Sequence, residues 1–521
     1  MHTKQMGPTF QDEAMSLWMV GKSQSNACNP IFKRLRQQGL LKDEQYWQRL
    51  NLAMYKNNGA LTRYLGGQLK NTKLKEYLKY WQRMRANPQR ELKRLNLKDT
   101  LQGREIMRYG IEKLAKTSAT RAHRAWTKLQ SRYTFSAQDR GAILRAIALG
   151  AAKQRHRKTA QWLADVPNTH TDEAINEVRL KLAWQSLDWS TVQEVLFHYP
   201  ETDRHNSEWQ YWLARAIEQK GDRLTALKLF SAASEVRDYY GFLAADRLDT
   251  EYNIRHQPIP LTDEEARNLL TKYPAIERVH EFFEVGMHSM ARREWGGLLE
   301  VMTPREIAMA ARIAKSRHWY DRAIITAAKA EAYDDLDVRF PIPHLQEITN
   351  YAHKRKLEQA WVYGVIRQES AFMQSVYSHA GAMGLMQLMP STGRYLARKA
   401  RLRLSNKRQL MEVDTNLKLG TLYLRELLDT FKGSHILATA GYNAGPGRAQ
   451  RWHRRRACLP DDVWVELIPF DETRDYVKKV LTYTAIFHTR LDEPVRPLAL
   501  AMQRPAACKT AQVHKNIGGA D

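Results

Sequence analysis

Apolar side chains recur at helical spacing along most of this chain, from about residue 30 to residue 341. Between Trp209 and Leu248, one apolar stripe ends at Gly221-Asp222 and a second begins after it at Leu224. Apolar residues three and four positions apart lie on one face of an α-helix, so the pattern predicts amphipathic helices in pairs. Runs that alternate between apolar and polar residues are few, and we therefore expect few β-strands.

A long series of helix pairs without a strict repeat is typical of an α-superhelix, or solenoid. The pattern leaves open whether such a superhelix closes into a ring. Its many Trp and Tyr residues either fill the space between stacked helices or line a surface that binds sugar. We predict an all-α fold in which this superhelix precedes a separate helical domain.

Closely spaced prolines interrupt the helical pattern twice, at 257–260 and at 340–343, because proline lacks the backbone donor that a helix interior needs. The third region, which follows the second break, is the richest in candidate chemistry. The breaks predict a poorly defined N-terminal segment, a superhelical domain, a helical linker domain, a third helical domain and a tail that we expect to be disordered: 1–24, 25–256, 257–345, 346–496 and 497–521.

The chain has 521 residues, with 82 Lys and Arg against 56 Asp and Glu, which gives a formal net charge of +26. This charge favours an acidic partner, namely nucleic acid, a membrane surface or an anionic polymer. The 43% apolar content excludes disorder along the whole chain. No apolar run approaches the roughly 18 residues of a membrane span. The three cysteines cannot form a disulfide framework and lack the spacing of a metal site.

Glu369 is the best-placed candidate for chemistry. The pattern predicts a helix from Leu357 to Ser370, and Glu369 lies on the same face as the apolar residues Val362 and Ile366. A carboxylate that faces a core is costly unless it is paired or protonated. Burial favours the neutral form and raises the pKa, which suits a general acid. The alternative is a structural glutamate that forms an ion pair with Arg367.

Two further segments contain candidate binding residues. After Gly381 and Gly384, Gln387 offers amide donors and acceptors that suit sugar hydroxyl and acetamido groups. Methionines around it form either an adaptable apolar wall for a ligand or part of the core. Tyr442 and Asn443 lie at a turn after a helix, and a last helix starts near 472–474.

No Asp or Glu occurs between Ser370 and Met411. Glycosidases that use two carboxylates need the second one at a defined separation from the first. Later acids such as Glu426 and Asp429 lie on an apparently amphipathic helix, where surface charge is the usual role. Chemistry that needs only one protein carboxylate therefore fits this region better.

Four motifs stand in this region in order: Ile366-Arg367-Gln368-Glu369-Ser370, Gly381-Ala382-Met383-Gly384-Leu385-Met386-Gln387-Leu388-Met389-Pro390, Tyr442-Asn443-Ala444-Gly445-Pro446 and Glu472-Thr473-Arg474-Asp475-Tyr476-Val477. Their order and approximate spacing resemble those of the soluble lytic murein transglycosylases. The family's catalytic domain is all-helical and similar to goose lysozyme, and the resemblance covers about residues 345–491. The helices upstream resemble the family's superhelical ring, and 257–345 resembles its linker domain.

The resemblance implies a mechanism with a single acid and no cofactor. Glu369 would protonate the glycosidic oxygen between N-acetylmuramic acid and N-acetylglucosamine, and the substrate N-acetyl group would assist. Glu369 would then take the proton from the C6 hydroxyl, which closes on C1 to leave a 1,6-anhydro end. By the same carry-over, five residues would bind the glycan: Ser378, Gln387, Met389, Tyr442 and Glu472. The Asn-Pro that the family commonly has nearby is absent, since Met373-Gln374 follows Phe372.

The implied partners are peptidoglycan strands with their peptide stems and other cell-wall enzymes, and the implied compartment is the periplasm. Residues 1–29 show no secretory leader, so we expect either a cytosolic chain or a sequence from which the leader is missing. Two basic stretches near the motifs, at 394–408 and 448–456, are either solvated surface or contacts for stem carboxylates. Three alternatives remain: a hydrolase on the same fold, a non-catalytic scaffold and a nucleic-acid-binding helical repeat, although no nucleic-acid motif is present.

Overall fold

The computed structural model describes residues 8–505 of the chain. These residues form α-helices joined by short connections and by four 3-10 turns, at Asn26–Cys28, Asn168–His170, Glu201–His205 and Lys407–Met411. They contain no β-strand, only isolated bridges from Met383 to Tyr377 and Leu388. The prediction of an all-α fold is confirmed.

The chain divides into two compact units between Leu182 and Ala183. The helices of the first unit, α1 to α10, are Pro8–Trp18, Asn29–Gln37, Asp43–Tyr55, Gly59–Gln68, Thr72–Ala86, Pro88–Arg94, Leu101–Ala115, Ala119–Leu129, Ala137–Lys153 and Thr159–Ala164. Helix α11, Glu173–Ser186, crosses the division.

The second unit contains the remaining helices and all the motifs singled out in the sequence. Its helices α12 to α21 are Trp189–Phe197, Ser207–Gln219, Arg223–Ser234, Tyr239–Leu248, Asp263–Lys272, Ala275–Glu284, His288–Leu299, Pro304–Ser316, Tyr320–Lys329 and Leu336–Arg339. Helices α22 to α30 are Leu345–Arg355, Gln359–Ser370, Pro390–Lys399, Val413–Thr430, His435–Ala444, Pro446–Arg455, Asp461–Glu466, Asp471–Arg490 and Leu498–Ala501.

Local sequence explains where these helices begin and end. Thr303 caps α19 through a reciprocal capping box with Glu306, and Pro304 occupies its first position, where a missing N–H costs nothing. The predicted pair around Gly221 is present as α13 and α14. However, Leu224 is 68% exposed, because α14 directs Phe230 and the small residues on its face into the core instead.

The aromatic residues mostly fill space inside the helical layers. Every tryptophan except Trp189 is buried. In the first unit, Trp47 and Trp81 pack with ring centroids 5.4 Å apart. This burial favours the packing role over a sugar-binding surface for the tryptophans.

Parts of the two terminal segments, within residues 8–24 and 497–505, pack against the rest of the protein. The segment 1–24 was expected to be poorly defined, yet α1 buries Ala14 and Trp18 within the first core. The tail 497–521 was expected to be disordered, yet Leu498 and Met502 are buried, and Arg504 donates to Leu459 and Asp461. Apolar and arginine side chains anchor the described parts of these segments, residues 8–24 and 497–505. Residues 1–7 and 506–521 lie outside the described residues.

Helices α23 and α29 form the frame of the candidate site. They are in close contact at Gly364, where an added Cβ atom would lie 2.8 Å from the Thr484 hydroxyl and 3.1 Å from the Val480 carbonyl oxygen. The missing side chain of the glycine permits this close contact. The close approach brings the C-terminal end of α23, with Glu369, beside the first turns of α29.

Candidate active site

Glu369 lies in the last turn of α23, as the apolar pattern predicts. Its carboxyl group is surrounded by protein but partly accessible to solvent. The Tyr476 hydroxyl donates to Glu369 Oε1 at 2.7 Å. Burial raises the pKa of Glu369 to about 7, the Tyr476 hydrogen bond opposes this rise, and the charge of Glu472 adds to it. The group is therefore poised to give up and regain a proton near neutral pH.

The alternative role, an Arg-paired structural glutamate, is wrong. Arg367 lies two residues earlier on α23 but donates to the Arg339 carbonyl oxygen at 3.0 Å. Its guanidinium stacks on the rings of Phe340 and Tyr483. Within residues 8–505, no ion pair involves Glu369 and no cation contributes to its pKa shift.

The segment after α23 forms a tight loop, which the Asn416 side chain anchors by hydrogen bonds. The Asn416 side chain accepts from Met386 N at 2.7 Å and donates to the carbonyl oxygens of Met383 and Leu410. Gly384, with a φ of +76°, passes so close to Asn416 that a Cβ would lie 2.4 Å from its amide nitrogen. The glycine and the buried asparagine together fix the path of this loop.

Three predicted binding residues lie in this loop. The Ser378 hydroxyl accepts from Ala382 N at 2.9 Å, so it closes the turn around Gly381. The Gln387 side chain donates to the Gly384 carbonyl oxygen at 2.8 Å, and its backbone has a φ of +46°. Met389 is 40% exposed immediately before α24.

Tyr442 joins the loop to the glutamate. Its hydroxyl donates to the Met386 carbonyl oxygen at 2.7 Å, and its ring lies 5.3 Å from that of Tyr423. Burial raises the pKa of Tyr442 well above its ordinary value, and the nearby charge of Glu369 adds to the shift. Tyr442 is thus a neutral phenol beside the carboxyl group.

The first turn of α29 closes the site. Glu472 is exposed there and is close enough to influence the pKa of Glu369. Thr473 is buried and donates to Asn443 Oδ1 at 2.6 Å, which ties α29 to the end of α26. The structure therefore brings Tyr442 and Glu472 to Glu369 and places Ser378, Gln387 and Met389 in the adjoining loop.

Sequence reasoning missed two residues of this arrangement. Tyr476, which contacts Glu369 directly, stands in the sequence only as one member of a motif. It follows Glu472 by four residues, so their shared helix face was the available signal. Asn416 gave a weaker signal, a polar residue on the apolar stripe of α25. Within residues 8–505, no group of three His, Cys, Asp or Glu side chains is arranged to hold a metal ion.

The architecture is all-α, and Glu369 is a half-buried acid at a helix end with no cation partner among residues 8–505. This arrangement is that of an enzyme site with one general acid. Three family models match in this chain. The Transglycosylase SLT domain matches residues 346–465, the soluble lytic murein transglycosylase L domain matches 269–336, and the soluble lytic transglycosylase helical domain matches 467–495.

Similar proteins match over most of the chain. The soluble lytic murein transglycosylase of Salmonella typhimurium is 30% identical, over 91% of this chain and 74% of that protein. The inactive glutamate-to-glutamine mutant of lytic transglycosylase Slt from Pseudomonas aeruginosa is 32% identical with a TM-score of 0.80, over 94% of this chain and 79% of that one. The 70-kDa soluble lytic transglycosylase in complex with bulgecin A is 28% identical with a TM-score of 0.78, over 93% and 79%. This chain belongs to the soluble lytic murein transglycosylase family and is an enzyme of that class.

Proposed function

We propose that this enzyme cleaves the β-1,4 bond between N-acetylmuramic acid and N-acetylglucosamine in peptidoglycan, leaving 1,6-anhydromuramic acid ends, during cell-wall turnover or remodelling. The observation that carries the proposal is the state of Glu369. It is a half-buried carboxyl group without a cation, and its pKa is raised to about 7. A protonated acid at neutral pH is what departure of a sugar oxygen requires.

The proton balance of the reaction needs only this one group. Glu369 gives its proton to the glycosidic oxygen as the bond from that oxygen to C1 breaks, and the acetamido oxygen of the substrate stabilises C1. The resulting carboxylate then takes the proton of the C6 hydroxyl as O6 bonds to C1. Glu369 ends protonated as it began, and no water is consumed. A pKa near 7 suits both halves of the cycle.

The glycan is proposed to lie over the loop and the two helix ends that surround Glu369. Met389 offers an exposed thioether to an apolar sugar face. The polar groups of Ser378, Gln387, Tyr442 and Glu472 are then the proposed contacts for hydroxyl and acetamido groups. The glutamate-to-glutamine mutant of the Pseudomonas relative, which is described as inactive, supports dependence on a single glutamate.

A basic groove beside the site is the proposed contact for peptide stems. Arg394 and Arg398 line a groove of about 460 Å³ on α24 together with Ser391 and Leu404. Lys399, in contrast, is engaged by Glu426. Carboxylates on the stems would meet the two arginines, and long-range attraction would speed encounter with the anionic wall. Binding to cell walls should therefore weaken as salt rises toward about 0.3 M.

One observation favours hydrolysis as the competing reaction. Glu472 is a second carboxylate near Glu369, and a second carboxylate is what a hydrolase uses to direct water. Mass spectrometry of purified peptidoglycan after digestion separates the two reactions. We expect anhydro ends. Products heavier by one water molecule, with ordinary reducing ends, would replace transglycosylation by hydrolysis.

The compartment and the protein partners are also proposals. No helix within residues 8–505 is long and apolar enough to cross a membrane. We propose action in the periplasm, where enzymes of this family meet their substrate, in company with other cell-wall enzymes. Fractionation of cells that express the full-length protein tests the compartment, and recovery in the cytosol alone would contradict it.

A further inference from the structure

Helix α29 presents two different sites on opposite faces. Tyr476 and Lys478 are two positions apart, which is about 200° around a helix. Tyr476 reaches Glu369 on one side. On the other side, Lys478 Nζ donates to Glu466 Oε2 at 2.9 Å. A second polar cluster thus contacts the opposite face of the helix that supplies the hydrogen bond to Glu369. This rear cluster consists of Lys478, Glu466, Tyr240 and Glu208.

This rear cluster links α29 to helices that precede the linker domain in sequence. Tyr240 of α15 has its hydroxyl 2.8 Å from Glu466 Oε1 and 2.7 Å from Glu208 Oε1. Lys478 Nζ also contacts the Tyr240 hydroxyl. Glu466 is 3% exposed and Tyr240 is 6% exposed. Charge-assisted hydrogen bonds to a buried carboxylate are stronger than neutral ones, and the loss of a partner there is costly.

A second buried contact fixes the same neighbouring helices. Arg215 of α13 donates to Asp462 Oδ2 at 2.8 Å, and the Tyr211 hydroxyl donates to the same oxygen at 2.8 Å. Asp462 and Glu466 lie four residues apart on the short helix α28, which residues 467–470 connect to α29. Helices α13 and α15 therefore hold α28 at both of its ends.

The opposite face of α29, which carries Tyr476, packs tightly against α23. At Gly364 an added Cβ atom would lie 2.8 Å from the Thr484 hydroxyl and 3.1 Å from the Val480 carbonyl oxygen, so α23 and α29 are in close contact there. Close-packed interiors have low compressibility and transmit strain. A tilt of α29 about this contact, caused by loss of the polar cluster on its other face, would therefore change the distance between Tyr476 and Glu369.

We propose that Tyr240 and Lys478 are positioning residues for the reaction, which act on Glu369 through Tyr476. The helices α13 and α15, which precede the linker domain, are then part of the catalytic assembly. The inference rests on the proposed function for its kinetic readout. The hydrogen bond between Tyr476 and Glu369 that it concerns is independent of the reaction catalysed.

A double-mutant cycle on the full-length enzyme tests the proposal. Tyr240→Phe keeps the ring and removes the hydroxyl, and Tyr476→Phe removes the donor to Glu369. We expect Tyr240→Phe to lower kcat about fivefold in the wild-type background and less than about twofold in the Tyr476→Phe background, because coupled residues are not additive. Equal factors in both backgrounds, or no loss in the wild type, would overturn the proposal.

A second readout separates positioning from general loss of structure. Tyr476→Phe should raise the pKa of Glu369, since it removes a hydrogen bond to the carboxylate. Tyr240→Phe and Lys478→Met should shift the carboxyl titration of Glu369 in the same direction, followed by carbon-13 NMR without substrate. Glu91→Gln, in the first unit, is the matched control: it removes a buried carboxylate and should leave that titration unchanged. An unshifted titration in folded Tyr240→Phe contradicts positioning, whereas absence of anhydro products contradicts only the proposed function.

Discussion

A buried and a half-buried glutamate in this enzyme show opposite chemistry. Glu91, in the first unit, is 1% exposed and accepts from Arg83 and from Arg90, each at 2.8 Å. Burial works to raise the pKa of Glu91, but hydrogen bonds and charge from the two arginines outweigh it, so its pKa is lowered. Glu369 is more accessible, has a phenol as its partner and has a pKa raised to about 7.

The comparison shows that depth alone does not assign a role to a carboxylate. A guanidinium partner stabilises the anion and makes Glu91 a structural ion pair. A neutral donor and a neighbouring carboxylate leave the anion of Glu369 unfavourable, so the proton stays until a substrate oxygen takes it. The partner, which a side chain from a distant part of the sequence supplies, decides between the two outcomes.

The largest expected effect is on catalysis. Glu369→Gln removes the transferable proton while it keeps the shape of the side chain, so kcat on peptidoglycan should fall by about 10²- to 10⁴-fold. Release of soluble fragments from purified cell walls measures this. Glu91→Gln, assayed in parallel on folded protein, should retain wild-type kcat. A Glu369→Gln enzyme with undiminished activity would assign the acid to another residue.

The same substitution should stabilise the fold at alkaline pH. The pKa of Glu369 is about 7 when folded, against an ordinary value of 4.5. The native state thus holds a proton that the unfolded chain loses, and stability falls as pH rises through this window. At about pH 8, Glu369→Gln should unfold with a free energy about 2 kcal/mol above the wild type, and the gain should vanish below about pH 4.5. Urea unfolding at both pH values measures it, and a pH-independent difference would count against a protonated Glu369.

Glu91→Gln should destabilise the enzyme at neutral pH by about 2 kcal/mol. The loss stays moderate because Arg83 and Arg90 are half-exposed and regain water when their partner loses its charge. Since the pKa of Glu91 is lowered, its contribution is present above its unfolded pKa and is lost as pH falls through the folded value. The difference between mutant and wild type should therefore shrink in acid. A difference that grows in acid would contradict the assigned ion pairs.

The smallest expected effect tests the neighbouring charge. Glu472→Gln removes a negative charge that helps raise the pKa of Glu369. The alkaline limb of the profile of kcat/KM against pH should therefore shift to lower pH by about half a pH unit. Asp471→Asn removes the same charge one position earlier, where Asp471 is paired with Arg474, and should leave the limb in place. Equal shifts in both variants would indicate a diffuse charge effect.

The sequence predicted the features that depend on local periodicity. The helix of Glu369 and the breaks near 257–260 and 340–343 follow from patterns within a few residues. The division into five segments stays a prediction. The two compact units separate after Leu182, which is not at either proline-rich break. Compactness depends on packing between helices, which a linear pattern does not encode.

The unpredicted features depend on contacts between distant residues. Tyr476 meets Glu369 across 107 positions of sequence, and no local pattern marks that meeting. Arg367 was the obvious partner by proximity, yet helix geometry directs it toward Phe340 and Tyr483. The absence of acids between Ser370 and Met411 likewise gave no sign that Glu472 would approach from α29.

The most direct test of the role of Glu369 is a titration of this residue in the folded, substrate-free enzyme. Carbon-13 labelled glutamate allows each carboxyl resonance to be followed with pH, and the resonance absent from Glu369→Gln identifies the site. We predict a midpoint near 7, so that the group is largely protonated in mildly acidic to neutral solution. A midpoint near the ordinary 4.5 would show an ionised carboxylate and would contradict its role as the acid that begins the reaction.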